Sequence, residues 1–388
     1  MKIGVITLPL HINYGGFLQN YALQVVLKRM GHEPLTLNQR PKRKSFKEKM
    51  NTYYLPNLKT MALRLIGKGN DRIWMHIHNK SFRTKLWKES TFFYDKYMTH
   101  TVPLRPDKDF LNICDKYNLA ALIVGSDQVW RPRYVENLSV NYLAFADGKR
   151  VKKISYAASF GTDQWEYNEH ETEKCKGLIK DFALVTVREK AAVSLCKELF
   201  GTEAYQVLDP TLLLDKEDYI TIIENEEAPK SKGNLFCYVL DETFEKKNFV
   251  MSVAQKTGLI PFYVNIGESP AKYSKKFVLS HLERFQNPPI ENWLRGFMDA
   301  EMVIADSFHA VAFSIIFNKP FWVIGNKSRG MSRFQSILEL FNLGDRLLDE
   351  SELAGAIDYQ RPIDWGQINS IRKEWKIKSI ELLRKGLS

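Results

Sequence analysis

Short β-type apolar runs alternate with helix-type patterns from the start of the chain, and the runs tend to close in turns of glycine and polar residues. Residues 2–8 form such a run, ending at Pro9. Asn13-Tyr14-Gly15-Gly16 then leads into apolar positions 18, 21, 22, 25, 26 and 27, which share one helical face as far as Gly31. Leu35-Thr36-Leu37 reads as a second strand and completes a βαβ opening of Rossmann type. The same rhythm predicts strands at 119–124, 154–158 and 184–187, with helices near 171–181 and 189–199. After a polar, turn-rich stretch at 224–233 it begins again, with strands at 235–240, 261–264, 302–305 and 321–324. Helices are expected between and after them, at 244–256, 290–300, 308–317 and 333–341. Apolar positions 368, 371, 375, 380, 382 and 383 make one last amphipathic helix.

A chain of 388 residues exceeds one ordinary core, so the two series predict two Rossmann-like domains of α/β class facing across a cleft. The expected boundaries are 1–223 and 224–364, with a terminal helix, 365–388, that can pack back on the first domain. Hydrophobic residues at 44% against 26% charged describe a chain able to bury a sizeable interior. The chain opens directly on a strand, with no charged leader, long apolar run or cleavage site, which predicts a cytoplasmic protein. Four scattered cysteines without CxxC spacing suit reduced core thiols, and no metal site is expected.

Charge changes the picture in one place. Fourteen Lys/Arg against three acids fall between Arg40 and Glu89, an excess equal to the net +11 of the whole chain. Tyr53, Tyr54, Trp74, Trp87, Phe92 and Phe93 are interleaved with them. This basic, aromatic insertion in the first domain, within 40–100, is expected to be helical. It reads equally as a solvated basic surface or as a contact with an anionic membrane or an RNA backbone.

Candidate chemistry gathers at the carboxyl ends of the expected strands, where open parallel sheets bind ligands. Asp306-Ser307-Phe308-His309 joins a strand to a helix, with Asp306 or Ser307 as the expected N-cap. His309 there is either a proton-transfer group or a histidine packed against the sheet, with equal weight from position alone. Asn13, Gly15, Gly16 and Gln19 form a glycine turn open to an anion or a sugar, or simply a tight βα turn. Ser126, Asp127 and Trp130 carry hydroxyl acceptors beside an aromatic face, as a sugar site would, or cap a helix. Arg188 sits at a strand end, suited to a carboxylate or phosphate, or to an ion pair with Glu189. Lys327, Arg329 and Arg333 cluster after the strand at 321–324 and can reach the same cleft, or form a solvated face.

The ordered segments NYGGFLQNYALQ (13–24), VGSDQVW (124–130), SYAASFG (155–161), VRE (187–189), VLDPTLLL (207–214) and DSFHAVAFSIIFNKPF (306–321) resemble the polysaccharide pyruvyl transferase family. The resemblance spans nearly the whole chain outside the basic insertion and the C-terminal end. It implies a GT-B-like pair of Rossmann domains and transfer of a pyruvyl group from phosphoenolpyruvate to two hydroxyls of a sugar. It also implies His309 as the acid/base and Arg188 as the arginine that holds the donor, with no cofactor beyond the co-substrate; Ser307 and Phe308 beside the histidine, and Lys327, Arg329 and Arg333 from the cluster after the strand at 321–324, are the further donor-side candidates. Asn13, Gly15, Gly16, Gln19, Ser126, Asp127 and Trp130 are then expected on the acceptor side, for a sugar carried on a lipid diphosphate. That substrate would give the basic insertion a role in peripheral docking at the inner membrane face. The chain departs from the family in one respect: family members carry an arginine two positions before the histidine, where this chain has Ser307.

Two other readings stay open on the sequence. A nucleotide-sugar glycosyltransferase of the same fold would want an acidic pair in the second domain, for which Glu291 and Asp299 are the candidates. A non-catalytic RNA- or polysaccharide-binding protein would explain both the basic insertion and Ser307.

Overall fold

The computed structural model describes residues 1–9, 13–39, 50, 85–105, 108–264, 267, 273, 275–325, 330–355 and 357–388. Most of the basic insertion, with Lys327 and Arg329, lies outside the described residues.

Two parallel sheets organise the chain. The first has strand order β2-β1-β3-β4, from β1 (Lys2–Ile6), β2 (Glu33–Thr36), β3 (Ala121–Val124) and β4 (Lys152–Ser155). Val5 sits opposite both Thr36 and Ile123, so β1 is the central strand. Bridges from Ile154 to Leu184 and from Ala158 to Val187 extend this sheet towards the short pair β5 (Thr186–Val187) and β6 (Tyr205–Gln206). The second sheet has order β11-β10-β9-β7-β8, from β7 (Leu235–Tyr238), β8 (Pro261–Tyr263), β9 (Met302–Ala305), β10 (Phe321–Ile324) and β11 (Leu347–Leu348). Every residue of β3, β7, β9 and β10 is buried, which is why these strands read as unbroken apolar runs: helices cover both faces of a parallel sheet.

The helices used below are α1 (Tyr14–Arg29), α2 (Lys88–Tyr97), α3 (Lys190–Leu195), α4 (Lys216–Asn225), α5 (Phe244–Thr257), α6 (Ile290–Asp299), α7 (Phe308–Ile316), α8 (Ser332–Leu340) and α9 (Trp365–Leu387). One aromatic seam runs between the halves. Tyr14 lies 5.7 Å from Trp293, Trp293 lies 5.0 Å from Phe313, and Phe313 lies 4.8 Å from Tyr219. Helix α9 follows the second sheet in sequence yet packs on the first half. Ser379 Oγ accepts the Leu208 N–H at 3.0 Å, and Arg372 Nε donates to the Leu212 carbonyl at 3.2 Å.

Helix α2 is the part of the 40–100 region that bears on the fold. Phe93 is fully buried, edge-on to Phe17 and Tyr21, so it belongs to the core and not to an interfacial face. Phe92, on the same helix, is 45% exposed. Among the described residues no helix is long and apolar enough to cross a membrane.

Candidate functional site

Strand β9 delivers its chain to the edge of the second sheet, and the next four residues build the centre of the site. Asp306 is not the cap of α7. Its carboxylate turns back to β7, accepting the N–H groups of Leu240 (2.7 Å) and Asp241 (3.1 Å) and an ion pair from Lys246 on α5 (3.1 Å). Ser307 occupies the N-cap position with extended backbone and makes no side-chain cap bond. The first N–H groups of α7 are thus left without a side-chain acceptor, beside His309 in the first turn.

Helix α1 starts at the same place from the other half. A methyl group on residue 15 would lie 2.0 Å from His309 Nδ1 and 2.2 Å from its Cγ, so glycine is what lets the imidazole rest on the start of α1. At Gly16 the same test meets only Asn13, at 3.6 Å, so the second glycine of the pair is not required by packing. The Asn13 side chain does not cap α1 either; its amide donates to Asp127 Oδ2 at 3.5 Å. Asp127 holds a left-handed backbone at φ 74°, a conformation that a short polar side chain tolerates better than most.

A buried carboxylate ties these pieces together. Asp209 follows β6 and is 1% exposed. Its Oδ1 accepts the Thr211 N–H (3.0 Å) and hydroxyl (2.8 Å), and its Oδ2 accepts the Ser126 hydroxyl (2.7 Å) and Arg188 Nη1 (3.1 Å). His309 Nε2 faces the same Oδ2 at 3.7 Å, beyond hydrogen-bond distance, and has no hydrogen-bond partner. Arg188 also donates through Nε to Glu189 (3.2 Å), approaches Asp127 at 3.8 Å, and has its Cζ over the Phe308 ring, 4.1 Å from the centroid. Glu189 is held in turn by the Ser159 hydroxyl at 2.6 Å. Arg333, in the first turn of α8, is 8% exposed and within electrostatic reach of Arg188, Asp127 and Glu189.

Burial and charge set the protonation of these groups. Desolvation lowers the His309 pKa, and Arg188 and Arg333 add to that, against the opposing pull of Asp209 and Asp127. The imidazole is therefore neutral near pH 7. Burial would raise the Asp209 pKa, but His309, Arg188, the Thr211 N–H and the Ser126 hydroxyl outweigh it, so the carboxylate stays ionised. Arg333 is pushed down to about 10 by burial and by Arg188, the signature of two guanidinium groups sharing one dry space.

The residues expected from sequence divide clearly. His309, Arg188, Phe308, Ser126, Asp127, Asn13, Gly15 and Arg333 meet around one point, so the expected split into donor and acceptor sides does not separate them. Ser126 and Asp127 share partners with Arg188 instead of facing it. Trp130 does not join them. It is fully buried, stacked on Tyr142 at 4.9 Å, and its Nε1 donates to the Asn141 carbonyl, so neither ring face is open to a sugar. Gln19 is also a support residue, its amide donating to Thr7 and to the Gly16 carbonyl. Glu291 is buried on α6 with its pKa raised by desolvation, and Asp299 is paired with Arg295 at 2.8 Å. These two acids therefore form no ribose-binding pair. Sequence reasoning did not single out Asp209 as a site residue, although it stands in the segment VLDPTLLL (207–214). Among the described residues no group of three or more His, Cys, Asp or Glu side chains is placed to hold a metal ion.

Comparison with solved structures places the architecture. The chain is similar to Arabidopsis thaliana UGT89C1 complexed with UDP-L-rhamnose, at 9% identity and TM-score 0.53, over 99% of this chain and 98% of that one. Phytolacca americana UGT2 in its apo form is similar over 99% and 98%, at 11% identity and TM-score 0.47. The S. aureus MnaA–UDP structure is similar over 91% and 86%, at 11% identity and TM-score 0.46. At such identities the likeness is one of fold, and the fold is GT-B-like. No curated protein matches the sequence. The family model for polysaccharide pyruvyl transferases matches residues 13–328, the stretch that holds His309, Arg188 and Asp209 but ends before Arg333, and the chain belongs to the polysaccharide pyruvyl transferase family.

Proposed function

We propose that this transferase moves a pyruvyl group from phosphoenolpyruvate to two hydroxyls of a sugar. The observation that carries the proposal is the buried pair of cations, Arg188 and Arg333, beside the His309 imidazole in the first turn of α7. Phosphoenolpyruvate brings a carboxylate and a phosphate, and two guanidinium groups with the uncapped start of α7 suit both. Arg333 supplies the charge that Ser307 does not, and Arg329 is a further candidate for that role.

The reaction needs one proton delivered and two removed. The methylene carbon of the donor takes a proton, a sugar hydroxyl adds to the neighbouring carbon, and that hydroxyl loses its proton. The C–O bond to phosphate breaks, phosphate leaves, and the second hydroxyl adds to the same carbon, its proton leaving with the phosphate. His309 is the group placed to give and take these protons. Neutral near pH 7, it gains a proton when a phosphate dianion stands beside it, because a nearby negative charge raises an imidazole pKa. A sugar carried on a lipid diphosphate, with docking of the 40–90 insertion on an anionic membrane, completes the expected setting at the cytoplasmic face.

A thermal-shift titration with phosphoenolpyruvate tests the donor. Wild type should shift upward, His309→Ala should still shift, and Arg333→Ala should need at least about tenfold more ligand. Phosphate release on adding acceptor should be lost in His309→Ala. A shift with UDP-sugars and none with phosphoenolpyruvate would move the protein to nucleotide-sugar chemistry. A response to RNA or polysaccharide alone would make it a binding protein.

A further inference from the structure

We propose that Asp209 is the positioning residue of the site, holding the Arg188 guanidinium and the His309 imidazole in register across the two halves of the molecule. The inference rests on the proposed role of His309 in proton transfer. Asp209 is held by neighbours within the chain. Both donors of Thr211 hold Oδ1, and the Ser126 hydroxyl holds Oδ2 at 2.7 Å. With its rotation removed, Oδ2 presents remaining lone-pair density to two groups, Arg188 Nη1 at 3.1 Å and His309 Nε2 at 3.7 Å. Arg188 belongs to the first half and His309 to the second, so one oxygen sets the spacing of a cation and an imidazole that reach it from different sheets. The short gap to Nε2 closes into a charged hydrogen bond when the ring takes up a proton. Asp209 would then fix the ring orientation and stabilise the protonated form without touching substrate.

The groups facing His309 are Asp209 and Asp127, which favour the protonated ring, and Arg188 and Arg333, which oppose it. Gly15 contributes only backbone from α1. Removing the Asp209 charge leaves one favourable acid against two cations. The His309 pKa, already below the ordinary imidazole value, should fall further in Asp209→Asn.

The test is a histidine-labelled NMR titration of the full chain, with the His309 signal assigned by its loss in His309→Ala, alongside steady-state phosphate release. In Asp209→Asn the His309 titration should move to lower pH, kcat should fall by about 100-fold or more, and KM for phosphoenolpyruvate should change much less. Asp209→Glu, which keeps the charge, should bring the titration back towards wild type. An unmoved titration in Asp209→Asn, or a rise in KM with kcat intact, overturns the proposal. Should Asp209→Asn not fold by circular dichroism, Thr211→Val decides the matter. It removes one donor to Oδ1 and keeps the carboxylate, so a several-fold drop in kcat supports the proposal and an unchanged kcat overturns it. Absence of phosphate release even in wild type would sink the donor assignment, while the NMR titration would still decide the role of Asp209.

Discussion

A methyl group at residue 15 would stand 2.0 Å from His309 Nδ1, and nothing about the helical conformation of residue 15 itself demands glycine. The constraint is therefore the close approach of the α1 backbone in one half to the His309 side chain of the other, not the local backbone conformation. Gly15→Ala must push the imidazole off the start of α1 or the start of α1 off the ring. The cost of such overpacking is about 1–3 kcal/mol, and the ring would also leave the line to Asp209 Oδ2. We expect Gly15→Ala to lose phosphate release by about 100-fold while its thermal transition falls only by a few degrees. Gly16→Ala is the paired control, since the added methyl meets nothing closer than 3.6 Å, and it should keep most of the activity. Equal activity in wild type and Gly15→Ala would show that the ring position does not matter. The same reasoning gives Ser307 its meaning. It leaves the N-cap of α7 without a side-chain bond, and on the proposed donor chemistry the charge that serine does not supply comes from Arg333 in the first turn of α8, beside Arg188.

At the scale of elements, the position of α7 depends on Asp306, three residues before His309. Asp306 and Lys246 form an ion pair at 3.1 Å with side chains 0% and 3% exposed, and the carboxylate also takes two N–H groups from the β7 loop. Breaking a buried pair by deleting one partner costs about 3–5 kcal/mol, since the remaining charge is left dry. Lys246→Met should therefore lower stability to urea by roughly that amount, and phosphate release should fall with it because the β9–α7 turn loosens. A loss below about 1 kcal/mol would mean that Asp306 is satisfied by its N–H donors alone. Much of this level was readable from the chain. The strands β3, β7, β9 and β10 announced themselves because each is buried on both faces and therefore wholly apolar. The two-residue strands β6 and β11 are too short to show any period, and neither was legible. Turn chemistry was harder still. Ser126 and Asp127 were found because they follow a clear strand, while Asp209 follows β6, which gave no signal to anchor it. Trp130 was misplaced for a related reason: an aromatic residue after a polar turn looks the same in sequence whether it faces solvent or, as here, stacks on Tyr142.

One hydrophobic cluster is shared between the two sheets, beside smaller clusters that belong to each half. A GT-B-like chain invites the picture of two bodies joined by a linker, yet contacts among the described residues cross the boundary in several places beside the site itself. The aromatic seam joins Tyr14 and Tyr219 of the first half to Trp293 and Phe313 of the second. The Ser336 hydroxyl on α8 accepts the Lys190 N–H and the Gln206 amide, both at 3.0 Å. Helix α9 returns from the end of the second sheet to cover Leu184 and Ile154, with Gly386 close enough that a methyl group would meet Leu184 at 2.8 Å. Buried residues from both halves accordingly form one hydrophobic cluster. Separating the halves would expose that cluster to water at about 25 cal/mol per Å² of apolar surface, so neither half is stable at the expense of the other. Urea unfolding should thus be a single cooperative transition, with tryptophan fluorescence and far-ultraviolet circular dichroism tracing the same curve. Phe313→Ala, which empties the middle of the seam, should lower the midpoint of that one transition by an amount matching about 3–5 kcal/mol and leave it single. Two transitions in wild type would mean that the seam does not couple the halves. The site around His309, which takes Gly15, Arg188 and Asp209 from one half and its own helix from the other, would then lose the rigidity on which its geometry depends.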